Sequence, residues 1–286
     1  MKCILCKEGS GASRSVEHVM PESLGNKEHI LPPGWVCDRC NNYLSIKVEA
    51  PFLNSWWGRV ARFGMGVENK KGNIPIGEAV HLKTRTRLDI NVHGNSTIVI
   101  PSSGENSTQW EQYLADNSHG TIISPIADLP PLEYDTARFI AKVAIEVLAL
   151  KLLDTPGANE ELVNQVALDS IRDYVRRGKP GFVWPVSMRR IYPGNFAFVD
   201  EFKVEYEVLH EWDVLPITSE GIEGVELIAV IAIFGVEFAI NLGGPDLHSY
   251  EEWLMRNDGV SYLYSKSRTE VVLPEKFLNS GCPPML

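Results

Sequence analysis

Cys3-Ile4-Leu5-Cys6, then Ser15-Val16-Glu17-His18-Val19-Met20-Pro21-Glu22-Ser23-Leu24-Gly25-Asn26, then Val36-Cys37-Asp38-Arg39-Cys40-Asn41-Asn42 are the segments whose reading decides the fold. Four of the five cysteines fall here, in two identically spaced pairs separated by residues 7–36. Two residues between the members of a pair let both thiolates reach one ion from a tight knuckle. Two such pairs, Cys3 with Cys6 and Cys37 with Cys40, supply the four-sulfur tetrahedron that Zn²⁺ prefers. A disulfide framework would require an exported chain and would leave Cys282 over, so a structural zinc is expected and Cys282 is read as an inert thiol.

Residues 1–45 lack helical periodicity but carry turn signals at Gly9-Ser10-Gly11, Leu24-Gly25-Asn26 and Pro32-Pro33-Gly34, the punctuation of a hairpin set between knuckles. From Asn41 the pattern changes. Tyr43, Leu44, Ile46, Lys47 and Val48 open a helix leaving the second knuckle, with Pro51 as the first residue of a renewed helix toward Phe63. The N-terminal module therefore reads strand, strand, helix, and the Glu17-His18 step lies inside the loop that the zinc closes.

The chain has 286 residues and 44% apolar content, enough for this small module and a larger packed domain. Its formal charge of −10 is unevenly spread. Residues 1–88 carry 13 Lys+Arg against 8 Asp+Glu, and the remainder 14 against 29. The acidic majority repels a phosphate backbone, so any nucleic-acid contact belongs to the N-terminal part. The longest apolar run, about Leu227 to Val236, is half a membrane span. With no signal-peptide pattern at the start, a soluble cytoplasmic protein is expected.

Trp56-Trp57-Gly58-Arg59-Val60-Ala61-Arg62-Phe63 interleaves aromatics with cations, a composition that can stack on bases and pair with phosphates. Mid-helix tryptophans are more often core, so Arg59 and Arg62 are the better nucleic-acid candidates. Lys83, Arg85 and Arg87 alternate with Leu82, Thr84, Thr86 and Leu88, which on a strand gives one cationic face, either tracking a backbone or solvated. A hairpin is expected over 88–100 around His93-Gly94-Asn95, and a polar surface loop or linker over 101–120. Helices follow at Thr136 to Leu153, where Phe139, Val143, Val147 and Leu150 repeat with Ile140 and Leu148 beside them, and at about Asn159 to Arg177. Strands are expected at Phe196–Phe198, Phe202–Val208 and, bending near Phe234-Gly235, Val225–Leu242. Ser249 is expected to cap a short helix ending at Arg256. The organisation is α+β: a zinc-bound ββα module over 1–65, a basic strand and hairpin region with linker over 66–120, and a larger acidic mixed α+β domain over 121–286.

Glu17-His18 carries the chemistry. Cutting a phosphodiester needs a base for water, a metal to stabilise developing charge, and a frame that holds both. His18 suits the base, and Glu17 a hard-oxygen ligand for Mg²⁺. Neighbours on a strand point to opposite sides, so both serve one site only where the strand is irregular, as Pro21 allows. His29 is read as a surface histidine and Glu22 as a supporting or solvated charge. His81, His93, His119, His210 and His248 have no partner spacing and are read as structural.

Taken together, order, spacing and residue types over residues 1–50 resemble an HNH endonuclease of the zinc-stapled ββα-metal type, in the branch written Cys-x-x-Cys, Glu-His-x-x-Pro-Glu-Ser-Leu-Gly, Cys-x-x-Cys-Asn. The resemblance implies that Glu17 and Asn41 hold a catalytic Mg²⁺ or Mn²⁺, that His18 is the general base, and that duplex DNA is the substrate, in a setting such as phage defence or restriction. Asn41 or Asn42 alternatively caps the helix. The family's middle Asn, which steadies the histidine's loop, has no counterpart just before Cys37, where Pro32-Pro33-Gly34-Trp35 stands; Asn26 is the nearest candidate. A rival reading makes the module a non-catalytic zinc ribbon that binds DNA or protein. A third makes the acidic domain a DNA mimic or gate, and that domain is also the surface for a protein partner or self-association.

Overall fold

Glu17–His18 (β1) and Ile30–Leu31 (β2) pair antiparallel, with Glu17 opposite Leu31 and His18 opposite Ile30. They belong to a computed structural model that describes residues 1–264 except 70, 95, 106, 193–196, 200–202, 204 and 219–223, together with 271–272. Helix α1 (Asp38–Leu44) starts inside the second knuckle, where the Cys37 sulfur accepts the Cys40 N–H at 3.4 Å and caps the helix. Asn41 and Asn42 therefore lie within the helix, and the cap expected of them is Cys37. The module is strand, strand, helix.

A π-helical turn, Ser45–Glu49, joins α1 to α2 (Ala50–Asn54), so Pro51 is the second residue of α2 and does not open it. Proline has no N–H for the carbonyl four residues back. That carbonyl, Lys47 O, instead accepts from Arg138 Nη1 at 3.3 Å. Ser55, whose hydroxyl accepts from Gly58 N at 3.1 Å, starts α3 (Trp56–Gly64).

Contacts divide the chain into two compact units, Met1–Pro21 with Asn26–Phe52 and Pro131–Leu286, and Glu22–Gly25 with Leu53–Pro130. In the second unit, β3 (Gly77–His81), β4 (Arg87–His93), β5 (Ser96–Pro101) and β6 (Ile122–Ile123) form an antiparallel sheet in the order β5-β4-β3-β6. Ala79, Leu88 and Ile90 form its core with Phe63, Val92, Val99 and Trp110. The expected hairpin is present, closing with His93 opposite Ser96. Helix α4 (Thr108–Asp116) occupies the stretch expected to be a loop. Half-buried Trp110 packs on that core and Tyr113 lies against the His81 ring, and two aromatics are too sparse for a periodic signal.

In the first unit, α5 (Tyr134–Lys151) packs on the sheet strands β10 (His210–Ile217), β11 (Glu226–Ile233) and β12 (Val236–Asn241), and on β2. It also touches α6 (Ala158–Asn164) and α7 (Asp169–Arg177), which follow the Pro156-Gly157 break. The sheet order is β10-β11-β12-β7, with β7 at Ser187–Arg190. The predicted apolar stripe of α5 is an all-round burial from Thr136 to Ala149, the state of a helix enclosed on every side. Residues 228–233 of β11 are buried on both faces. Ile228 and Val230 join Leu215 and Ala239 in a core on which Tyr250 of α8 (His248–Arg256) packs. Ser249 lies inside α8 and does not cap it; the Asp246 carboxylate accepts the His248 N–H at 2.7 Å. A three-stranded sheet, β13 (Val271–Val272) with β8 (Ala197–Val199) and β9 (Glu205–Glu207), completes the described backbone. Phe196, Phe202 and Cys282 lie outside the described residues. Among those described, no helix is long and apolar enough to cross a membrane.

Candidate active site

The four sulfurs of Cys3, Cys6, Cys37 and Cys40 all lie within 4.8 Å of one another, with Cys6 Sγ and Cys37 Sγ 3.8 Å apart. A tetrahedron built on Zn–S bonds of about 2.3 Å has edges of about 3.8 Å, so the cluster fits a structural zinc. Hydrogen bonding from Cys40 pushes the Cys3 thiol down to about 4, while burial pushes Cys6 up. Gly34, at φ +96°, closes the turn before the second knuckle; a Cβ there would meet Met1 Sδ at 2.6 Å. The first knuckle is gripped by the rest of its unit. Buried Arg172 donates from Nε to Ile4 O at 2.7 Å and from Nη1 to Asp169 at 2.8 Å, and Lys7 pairs with Asp169.

Strand β1 is pinned on both flanks. On one, the Asp38 carboxylate accepts from Ser15 Oγ at 2.6 Å and from the Ser15 and Arg14 N–H groups at 3.0 and 3.1 Å; these bonds hold Asp38 below the usual carboxylate range. One turn on, Asn41 Nδ2 donates to Val16 O at 2.8 Å, one residue before Glu17. On the other flank stands Lys142 of α5, fully buried. Its Nζ lies 2.9 Å from Glu17 Oε1, 2.8 Å from Glu49 Oε1 on the π turn and 2.8 Å from Glu146 Oε2, and donates to His18 O at 2.9 Å.

Burial raises the Glu17 carboxyl above its ordinary range and Lys142 pulls it back. Glu146 is raised further by burial. Burial alone would lower Lys142, but Glu146, Glu17 and Glu49 outweigh it and hold the ammonium charged. Glu17 and His18 alternate as strand neighbours do: Glu17 is buried and His18 half-buried. The strand stops at once after His18, in the bend at Val19-Met20.

The loop after that bend is held by Asn26, which is 1% exposed. Its Nδ2 donates to Met20 O at 2.7 Å and His29 O at 2.8 Å, and its Oδ1 accepts from His29 N at 2.9 Å and Glu28 N at 3.2 Å. All four of its hydrogen-bonding positions are used. His29 sets its ring edge-on to Trp212, with centroids 4.5 Å apart.

The expected substrate-binding cations sit in the second unit and divide. Arg62 is buried, donating to Gly58 O at 3.1 Å and Leu53 O at 3.0 Å. Arg59 is half-exposed and 3.4 Å from Glu78. Trp57 is core at 1% exposure and Trp56 is 47% exposed. Lys83 and Arg85 are not on a strand: they form the turn between β3 and β4, where Arg85 has φ +59°. His81 Nδ1 bonds Thr84 Oγ1 at 2.9 Å and closes that turn. Lys83 lies 5.3 Å over the Tyr113 ring, and Arg87, 72% exposed, pairs with Glu105 at 2.7 Å.

Sequence reading missed Lys142, Glu49, Glu146, Arg138 and Arg172. One signal was present: Arg138, Lys142 and Glu146 recur every four residues in a helix that is otherwise apolar, and charges there must find partners. Beside the module, Arg39, Arg176 and Arg177 line a cleft with Tyr43 and Leu44.

A zinc-stapled ββα module carrying an acid-histidine step on its first strand defines a class of nuclease modules. Residues 3–57 match the model of an HNH endonuclease family, and this N-terminal module is an HNH endonuclease domain. That match supports an enzyme of the nuclease type and a nucleic-acid substrate. No curated protein and no solved structure matches the chain.

Proposed function

We propose that the chain is a metal-dependent endonuclease that hydrolyses phosphodiester bonds of duplex DNA. The observation that carries this reading is the Glu17-His18 step, held between Asn41 and Lys142 inside a segment that matches an HNH family. The donor set suits a hard divalent cation. Glu17 Oε2 is buried without a hydrogen-bond partner among the described residues, and Asn41 spends its amide N–H on Val16, so each side chain keeps an oxygen. Glu17 and Asn41 would hold Mg²⁺ or Mn²⁺, which when bound supplies charge stabilisation at the scissile phosphate.

His18 takes a proton from water onto a ring nitrogen. The hydroxide forms a bond to phosphorus as the bond to the 3′ oxygen breaks, and the departing oxygen takes a proton from solvent. Asn26 fixes the loop that follows His18. Arg39, Arg176 and Arg177, which line the cleft of the first unit, are proposed to meet the phosphate backbone there. Arg59, Lys83, Arg85 and Arg87 are the corresponding candidates of the second unit, taken by itself. Arg62 is left out because its guanidinium is occupied by backbone carbonyls. A restriction or phage-defence setting rests on the family resemblance.

The purified chain is expected to nick supercoiled plasmid with Mg²⁺ or Mn²⁺, and His18→Ala to lose the activity by about 10²–10⁴-fold. Equal degradation by wild type and His18→Ala would end this reading. Zinc-loaded protein that binds duplex DNA without metal-stimulated cleavage would return the module to a binding role.

A further inference from the structure

We propose that Lys142 is a positioning residue of the nuclease site, fixing one oxygen of Glu17 and the backbone of the Glu17–His18 step so that the second Glu17 oxygen is presented to the divalent cation. The inference rests on the nuclease reading above. It starts from an incomplete ion cluster. Lys142 is 0% exposed, and its Nζ lies 2.8–2.9 Å from Glu17 Oε1, Glu49 Oε1, Glu146 Oε2 and the His18 carbonyl, of which Glu146 Oε2 is an ion-pair contact without a hydrogen bond. An ammonium has three N–H donors, so its donating capacity is filled.

The carboxylates are not filled. Glu17, 5% exposed, has Oε1 on Lys142 and Oε2 without a hydrogen-bond partner among the described residues, and both oxygens of the deeper Glu146 also lack one. A buried ion pair kept only for stability would have its remaining lone pairs satisfied, because unpaired buried charge is strongly destabilising. The arrangement at Glu17 is that of a ligand whose orientation is set by a partner on its far oxygen, as carboxylate partners set ligating histidines elsewhere.

The same ammonium reaches the other half of the motif. Its bond to His18 O, from a helix 124 residues away in sequence, fixes the peptide that follows the base. Asn41 holds the peptide that precedes Glu17. The two-residue strand is thus clamped at both ends, once from α1 and once from α5. Glu49 enters from the π turn beside Pro51, a helical irregularity of the kind found at functional sites.

The test compares wild type, Lys142→Met and Lys142→Arg as zinc-loaded full-length proteins. It measures Mn²⁺ binding from the electron paramagnetic resonance signal of free Mn²⁺, and plasmid nicking as kcat and KM. Folded Lys142→Met, checked by circular dichroism and zinc content, is expected to bind Mn²⁺ about 10–100-fold more weakly and to lose kcat by a similar factor, with KM for DNA little changed. Lys142→Arg keeps the charge but not the point geometry, and is expected to lose about 3–10-fold in Mn²⁺ affinity while retaining zinc. Mn²⁺ binding by folded Lys142→Met that equals or exceeds wild type would overturn the proposal, since Lys142 would then be a bystander or a competitor of the metal. Should Lys142→Met fail to fold, Lys142→Arg that binds Mn²⁺ and nicks as wild type does would overturn it. Wild type that neither binds Mn²⁺ nor nicks would remove the nuclease reading and this one together.

Discussion

At the scale of single residues, Asn26 holds a whole loop. Its side chain receives two N–H groups of the loop and donates to two carbonyls. Leaving buried backbone groups unpaired costs about 1–3 kcal/mol each, shared where water enters. Asn26→Ala is therefore expected to lower stability by about 2–4 kcal/mol, read as a shift in urea midpoint. Asn26→Asp keeps the acceptor but turns a charge on two carbonyls, and should be no better than Ala. An unchanged midpoint for both would show the loop to be held by other contacts.

His210 makes a second residue-scale prediction. Burial, with His29 beside it, pushes its imidazole down to about 4 from 6.5. Neither ring nitrogen has a hydrogen-bond partner among the described residues. The unfolded chain takes up this proton near 6.5 and the folded chain only near 4, so the stabilising contribution is complete above pH 6.5 and is lost as pH falls toward 4. The loss is up to about 3 kcal/mol across that window. Denaturation curves at pH 7, 5.5 and 4.5 should show the decline, and His210→Phe should flatten it; a slope that survives the substitution belongs to other groups.

At the scale of elements, α7 is tied to the first knuckle by the Arg172 guanidinium and by the Lys7–Asp169 pair. Arg172 spans Ile4 O, Gln165 O, Leu162 O and Asp169 from a position 2% exposed. Arg172→Met removes all four contacts and strands several carbonyls, so it is expected to cost about 3–5 kcal/mol. Because Ile4 lies between two zinc-binding cysteines, it should also hasten zinc transfer to a chromogenic chelator. Zinc transfer at the wild-type rate would mean that the knuckle holds its shape unaided.

These elements also show what sequence can reveal. The cysteine pairs and the Glu-His step were legible because ligation fixes residue type and spacing locally, and α5 because eighteen residues of helix print a period on the chain. Lys83, Arg85 and Arg87 misled for the opposite reason. Their alternation matches a strand, but the His81 to Thr84 side-chain bond and the left-handed Arg85 fold the chain back between them. The α1 cap was hidden because a cysteine sulfur did the work usually assigned to Asn. Glu17 looked like a free ligand because its partner, Lys142, leaves no mark near it in sequence.

At the scale of the molecule, the zinc module is part of a larger unit and is not a bead on a string. Arg138, Lys142 and Glu146 form one polar ridge of α5 that meets Tyr43 Oη at 2.6 Å, Lys47 O at 3.3 Å and the Glu17 carboxylate at 2.9 Å. Phe139 stacks on Phe52 with ring centroids 4.1 Å apart. A fragment of residues 1–65 would leave Glu17, Leu31 and Phe52 without the helix that covers them, and a module this small has little core of its own to offset chain entropy. Zinc contributes folding energy, but here it closes only the end of the module at the knuckles. Residues 1–65 with one equivalent of Zn²⁺ are expected to bind the metal yet give collapsed amide dispersion and a broad melt, whereas the full chain melts cooperatively. By the same contacts, truncation near residue 120 is expected to abolish nicking, because it removes Lys142; a truncated protein more active than the full chain would instead make the acidic segment a gate over the site. Chelation of zinc from the intact protein should separate the two contributions. If α5 carries its share, the sheet of β10–β12 should keep its amide protection while the hairpin of β1 and β2 exchanges freely, and simultaneous loss of both would show that the ion holds the whole unit.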